Sequence, residues 1–284
     1  MRSLLITGGA GFFGRAFVKY LLSLEGGPSR ICIYSRNEWN QAVARREFND
    51  DPRLRWMIGD VRDGSRLREA MADCDAVVHA AALKRVETVN YNVIEAVATN
   101  VIGSRNVVQA AIETGCPKAV LISTDKACLP STTYGLTKAV AERIFLQSDA
   151  YVGASPVPLF AVCRYGNVAG STGSVIPIWR EMLASGQVRL PMTNPKCTRF
   201  WMTADYAAAF VWSTLNRMQG GELFTPPNLK AFELGDLATA LYAATQIIPM
   251  APGEKLHEEM VPGESSEYAT RMTVAEIREA LEHV

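Results

Sequence analysis

Short apolar runs alternate with amphipathic stretches through the first half of the chain. Leu4-Leu5-Ile6 reads as a strand closed by glycines, and Arg15 to Leu24 follows with Phe17, Val18, Leu21 and Leu22 at helical spacing. Further strands are predicted at Ile31 to Tyr34, Leu54 to Ile58, Ala76 to Ala82, Ala119 to Ser123 and Leu159 to Arg164. Helices are predicted at Arg66–Ala72, Tyr91–Thr114 and Tyr134–Gln147. Runs that are apolar at every position suit strands covered on both faces, as in parallel sheets. Strand and helix in alternation therefore predict an α/β fold, a doubly wound parallel sheet. Beyond Val168 the alternation degrades, and prolines such as Pro191, Pro195, Pro226 and Pro227 punctuate shorter elements. The expected organisation is one main domain over residues 1–167, with a later return segment around 199–240, and a smaller C-terminal region over 168–284.

Composition narrows the partners. The 284 residues carry 29 Lys+Arg against 29 Asp+Glu, so no basic excess is available to hold nucleic acid or an anionic membrane. No apolar run is long enough to span a bilayer, and Thr7-Gly8-Gly9 interrupts the first one well short of a signal segment. A soluble, cytoplasmic protein is expected. The six cysteines form no C-x-x-C pair, and the three histidines are not at zinc spacing, so no metal is expected and the thiols read as reduced. Cys128 reads as an apolar filler, His79 as a packed strand-end residue and His257 as a helix-face residue.

The segment Thr7-Gly8-Gly9-Ala10-Gly11-Phe12-Phe13-Gly14 lies between the first strand and the first helix, where a dinucleotide fingerprint belongs. Gly8 permits the tight turn, Gly11 the approach of backbone to pyrophosphate, and Gly14 close helix-to-strand packing, while free N–H groups at the helix start face the anion. The second strand ends in Tyr34-Ser35-Arg36-Asn37, with a hydroxyl and a guanidinium where NAD-binding chains place an acid. This favours NADP; the competing reading leaves Arg36 solvated and gives the ribose to Glu38. Asp60 and Val61, after the third strand, are placed to meet the adenine. Tyr134 and Lys138 stand four apart on one helix face, so the ammonium is expected to lower the phenol's pKa and make it a base for a hydroxyl proton.

With Ser123-Thr124 closing the preceding strand, these features resemble the short-chain dehydrogenase/reductases, and nearly the whole chain resembles their extended branch. The narrower resemblance is to soluble nucleotide-sugar 4,6-dehydratases that act on UDP-N-acetylglucosamine and invert C5. It rests on Tyr34 to Glu38, His79 to Lys84, Ser123 to Ala127, Tyr134-Gly135 with Thr137-Lys138, Arg164 to Val168, Thr198 to Trp201 and Pro252 to Glu258. The resemblance implies a Rossmann domain holding NADP over residues 1–167 and a region that mainly binds substrate over 168–284. It adds Phe12, Phe13, Ala80, Ala81, Lys84, Asn100, Tyr134 and Lys138 to the cofactor contacts, and counts Lys138 with Asp125, Lys126 and Tyr134 as catalytic. For the nucleotide sugar it implies Lys84, Thr124, Asn167, Val175, Arg199 and Glu254.

The implied reaction assigns three roles. Oxidation at C4 acidifies the C5 proton; Tyr134 serves C4, Lys126 takes the C5 proton, Asp125 protonates the departing C6 oxygen, and the hydride returns to C6. A tyrosine at the Tyr134 position goes with inversion at C5. Four readings stay open beside this one: Asp125-Lys126 as a solvated ion pair, a nucleotide-sugar 4-epimerase, a 5,6-dehydratase, and a catalytically silent NADP-sensing protein. Relatives commonly carry arginine where this chain has Ala251, so Arg199 or Lys255 would have to replace that diphosphate ligand. A homo-oligomer is expected, associating through the helices at Tyr91–Thr114 and Tyr134–Gln147.

Overall fold

Side-chain alternation decides which layer each strand residue enters. Leu4, Ile6, Ile31 and Ile33 enter one core, while Leu5, Cys32 and Tyr34 enter another on the opposite face, and all seven are fully buried. The computed structural model describes residues 1–152 and 158–284. Its first half runs β1 (Ser3–Thr7), α1 (Phe12–Ser23), β2 (Arg30–Ser35), α2 (Glu38–Glu47), β3 (Leu54–Ile58), α3 (Gly64–Met71) and β4 (Ala76–His79). There follow α4 (Val86–Tyr91), α5 (Val93–Ala96), a π-helical turn (Val97–Ile102), α6 (Gly103–Thr114), β5 (Lys118–Thr124), a 3-10 turn (Asp125–Ala127), α7 (Thr133–Leu146), α8 (Asp149–Val152) and β6 (Leu159–Tyr165).

The rest of the chain comprises α9 (Val175–Ala184), β7 (Arg189–Met192), β8 (Thr198–Phe200), α10 (Ala204–Arg217), β9 (Glu222–Phe224), β10 (Ala231–Glu233), α11 (Leu234–Ala240), β11 (Ala244–Ile247) and α12 (Val274–Leu281). Seven strands form a parallel sheet in the order β3-β2-β1-β4-β5-β6-β9, the doubly wound Rossmann arrangement. Phe17 and Leu21 of α1 and Val211 and Leu215 of α10 cover one face. Leu67 of α3, Val107 of α6 and Phe145 of α7 belong to the core on the other. Within the 199–240 segment, α10 and β9 join this layer. β10 and α11 instead share a third core with Trp179, Leu190 and Ile277, beside the antiparallel pair β8–β10.

Three elements depart from the sequence pattern. The run Ala76 to Ala82 stays in the sheet only to His79; beyond it Ala80 N–H donates to the Thr7 carbonyl at 3.1 Å, and the chain leaves as a loop. The single helix expected over Tyr91–Thr114 is interrupted at Asn92 and again by the π turn, whose Asn100 turns inward. The Asn100 amide brackets Leu83, accepting from its N–H at 2.8 Å and donating to its carbonyl at 2.9 Å, and also donates to Thr137 Oγ1. α2 has no counterpart in the periodicity because only Gln41 and Ala44 are buried along it; it is started instead by Asn37, whose side chain accepts from Asn40 N–H.

At Gly14 a Cβ would lie 2.5 Å from the Cα and carbonyl oxygen of Gly9, both backbone atoms. Gly14→Ala is expected to cost about 2–3 kcal/mol, the scale of overpacking, measured as a lower urea midpoint with an unchanged slope.

Candidate active site

The carboxyl ends of β1, β2 and β4 form a bed at the point where strand order reverses. Gly8 has φ +70° and donates its N–H to the Tyr34 carbonyl at 2.8 Å, folding the chain tightly onto β2. α1 then starts with neither a side-chain cap at Gly11 nor an acidic residue in its first turn. Its N–H groups and the positive end of its dipole are therefore left for an anion. This cradle fits the pyrophosphate of a nicotinamide dinucleotide.

Around it, several expected contacts are possible only through backbone. The Phe13 ring stacks on Phe17 at 5.6 Å and tilts against Tyr165, so its aromatic face is spent on the core. Val61 is buried, with its carbonyl accepting from Asn106 Nδ2. Asn100 is consumed in bracketing Leu83 and so positions the loop carrying Ala80, Ala81 and Lys84. Phe12, Ala80 and Ala81 are partly buried, and Lys84 is exposed. At the β2 end, Ser35 Oγ accepts from Gln41 Nε2, and the half-exposed Arg36 lies 3.8 Å from Asp60. Asp60 is itself paired with Arg62 at 2.7 Å, which leaves Arg36 loosely tethered.

At the turn after β5 a lysine meets two carboxylates and an amide. Lys126 Nζ lies 3.1 Å from Asp125 Oδ1, 3.2 Å from Glu258 Oε1 and 3.2 Å from Asn167 Oδ1. Thr124 Oγ1 donates to Asp125 Oδ1 at 2.9 Å. Burial works against the Lys126 charge, but Asp125 and Glu258 outweigh it and hold the ammonium above the ordinary lysine range. Asp125 Oδ2 and Glu258 Oε2 are buried with no hydrogen-bond partner among the described residues. Asp125 Oδ2 lies near Gly166, where a Cβ would approach it to 3.3 Å.

Tyr134 differs from the expectation. Burial, with Asp125 adding to it, pushes its phenol up to about 12, and the ammonium opposing this is Lys126's. Lys138 donates instead to the Ile122 carbonyl at 2.7 Å, and burial lowers it to about 8 against the pull of Glu142. Glu142 is in turn locked to Arg164 and accepts from Ser123 Oγ. A second positive charge at the cofactor bed is thus what Tyr134 needs to ionise near neutral pH.

On the substrate side, Arg199 donates to the carbonyls of Thr198 and Leu256 and lies 3.5 Å from Glu254 Oε1, which also accepts from Thr193. Asn167 and Val175 line one small cleft with Trp201. Lys255 donates to the Cys128 carbonyl, so both expected substitutes for an arginine at position 251 already have partners within the chain. His257 is not on a helix; its Nδ1 pairs with Thr198 Oγ1 at 2.8 Å. His79 is packed as expected between Thr7 and Ser104, with its pKa lowered to about 3 by burial, and so is neutral. Glu258 was not among the sequence-predicted site residues. It closes the segment Pro252 to Glu258, and its contact with Lys126 is visible only in three dimensions. Among the described residues no cluster could hold a metal ion.

Comparison with known proteins agrees with this geometry. The family described as "Polysaccharide biosynthesis protein" matches residues 4–279. A UDP-N-acetylglucosamine 4,6-dehydratase (inverting) of Campylobacter jejuni is 42% identical over 267 residues, 93% of this chain and 79% of that protein. A UDP-glucose 4-epimerase of Rickettsia massiliae is 36% identical over 271 residues, 93% of this chain and 78% of that one. The structure of Pen from Bacillus thuringiensis superposes with a TM-score of 0.93 at 30% identity, covering 100% of this chain and 98% of that one. DesIV, a dTDP-glucose 4,6-dehydratase of Streptomyces venezuelae solved with NAD and TYD, shares the fold at a TM-score of 0.80 and 21% identity, covering 99% and 96%.

A lysine whose folded pKa is depressed from 10.5 to about 8 disfavours the folded state below that range, and the cost is relieved as pH rises from about 8 toward 10.5. Lys138→Met should therefore keep or raise stability at pH 7, by up to about 1–3 kcal/mol. Urea titrations at pH 7 and 10 test this: the gain should shrink at the higher pH.

Proposed function

The chain belongs to the polysaccharide biosynthesis protein family and is a nucleotide-sugar 4,6-dehydratase, and from that premise we propose that it converts UDP-N-acetylglucosamine to the 4-keto-6-deoxy sugar with inversion at C5. The observation that carries the reading is the pinned, charge-balanced Asp125–Lys126 pair beside Tyr134.

Gly8, Gly11 and Gly14 with the start of α1 would hold the diphosphate of the cofactor, and Ser35 and Arg36 its 2′-phosphate, which makes NADP the proposed dinucleotide. Bound, it supplies a hydride acceptor that is restored within one turnover. Tyr134 takes the C4 hydroxyl proton, and the resulting ketone acidifies C5–H. One proton then passes from Lys126 to Asp125, giving a neutral amine and a carboxylic acid. The amine accepts the C5 proton while the acid delivers its own to the C6 oxygen, which leaves as water. The pair ends in its starting ionisation, so this step needs no proton from solvent; the hydride would then return to C6, and C5 would regain a solvent-exchanged proton on its opposite face while Tyr134 gives up the one it took. A 4-epimerase has no use for such a pair.

Thr124, Asn167, Val175, Arg199, Glu254 and Lys84 are the proposed sugar and diphosphate contacts. The enzyme is proposed to work in the cytoplasm as a homo-oligomer. Among the described residues no helix is long and apolar enough to cross a membrane. Tyr91 of α4, 92% exposed, and Ile94 of α5, 78% exposed, lie on helices that pack against α7, which itself exposes Leu136 and Val140, and these uncovered apolar side chains suit a second copy.

Tyr134→Phe should reduce C4 oxidation about 100-fold or more, seen as loss of the substrate-induced reduced-nicotinamide signal; unchanged turnover removes Tyr134 from the mechanism. Lys126→Ala should preserve that signal but stop solvent exchange at C5, and continued exchange identifies another base. Arg36→Glu should weaken NADP about tenfold or more relative to NAD, measured by titration of both dinucleotides; equal losses refute the 2′-phosphate assignment.

A further inference from the structure

Glu258 comes from a loop far along the chain from Lys126, yet its carboxylate meets the same ammonium that Asp125 meets, at 3.2 Å. Its backbone is fixed: Glu258 N–H donates to Ser266 Oγ at 2.9 Å, and Ser266 N–H donates to the Glu258 carbonyl at 2.8 Å. Ser266 Oγ also pairs with Thr198 Oγ1 on β8 at 2.7 Å. The side chain is only 4% exposed, and Oε2 has no partner among the described residues. A carboxylate placed only to brace the fold would have both oxygens satisfied. Arg199 does not account for it either, since its Nε stands 4.0 Å away and its other nitrogens are held by Thr198, Leu256 and Glu254.

We propose that Glu258 is a positioning residue for the elimination, a second carboxylate on Lys126 that no step consumes and that keeps the one mobile proton on the Asp125–Lys126 pair. This rests on the roles given to that pair above. The elimination returns the pair to its starting ionisation, so it works only while the pair holds one proton. The charged or titratable groups facing Lys126 are Asp125 on its own turn, Glu258 on the loop, Arg199 on β8 and Tyr134 on α7. Two carboxylates against one guanidinium leave a negative surplus around the ammonium, and removing Glu258 cancels that surplus. The proton is then lost to solvent at lower pH.

The test compares the pH dependence of water elimination in wild type, Glu258→Gln, which keeps shape but not charge, and Glu258→Asp, which keeps charge. Wild type and Glu258→Asp should change less than about twofold between about pH 8 and 10, whereas Glu258→Gln should fall about tenfold over that interval. A uniform loss at every pH, or a Glu258→Gln profile parallel to wild type, overturns the proposal. Its failure is separable from failure of the parent reading: if Lys126→Ala keeps C5 exchange, the parent reading fails, and if that exchange stops while Glu258→Gln runs parallel to wild type, only the Glu258 role does. Should Glu258→Gln not fold, competitive acetylation of wild type decides. Lys126 must stay protonated to higher pH than the side chain of free N-acetyl-lysine amide, and titration at or below that reference refutes the proposal.

Discussion

One ammonium shared by two carboxylates organises this site. Asp125 and Glu258 are almost wholly withdrawn from water, and Lys126 retains 26% of its side-chain surface. Removing such charges from solvent costs several kcal/mol per ion, and only close pairing repays it. The three residues can pair only if the end of β5, the end of β6 carrying Asn167 and the loop after Gly253 converge. The chain meets that requirement by fastening the loop to β8 through Ser266 and Thr198, and by an Arg164 hydrogen bond from β6 to the Met260 carbonyl.

The parallel sheet supplies the common edge. Its strands end together, so the anion cradle at α1, the Arg36 tip of β2 and the acid–base turn after β5 lie on one rim. The same packing disfavours free charge: burial raises Tyr134 and lowers Lys138. The first shift keeps the phenol protonated and the second weakens the ammonium on the same helix; a bound cationic ring would oppose the first.

Much of this was legible in the chain. The apolar runs gave the first six sheet strands because parallel strands are buried on both faces, and the glycine spacing marked the cradle because Gly14 has no room for a Cβ. Tyr134 and Lys138 stood out by type and spacing, whereas Asp125 and Lys126 came into view only through the resemblance carried by Ser123 to Ala127. What stayed hidden depended on distant pairs. The side chain of Asn100 acts through Leu83 and Thr137, and that of Phe13 is absorbed by Phe17 and Tyr165. The partner of Lys138 is a carbonyl, which no residue type announces. α2 escaped notice because a helix with two buried side chains has almost no apolar stripe. Glu258 was in view as part of a segment, but nothing local tied it to Lys126.

The account stands on Asp125 and Lys126 removing water from C5 and C6 of a sugar oxidised at C4. Mass spectrometry of the wild-type enzyme incubated with UDP-N-acetylglucosamine in deuterated water tests this most directly. The predicted product has lost one water and carries a single carbon-bound deuterium at C5. A nucleotide sugar of unchanged mass, or one that has lost water with C5 still holding its original hydrogen, would contradict it.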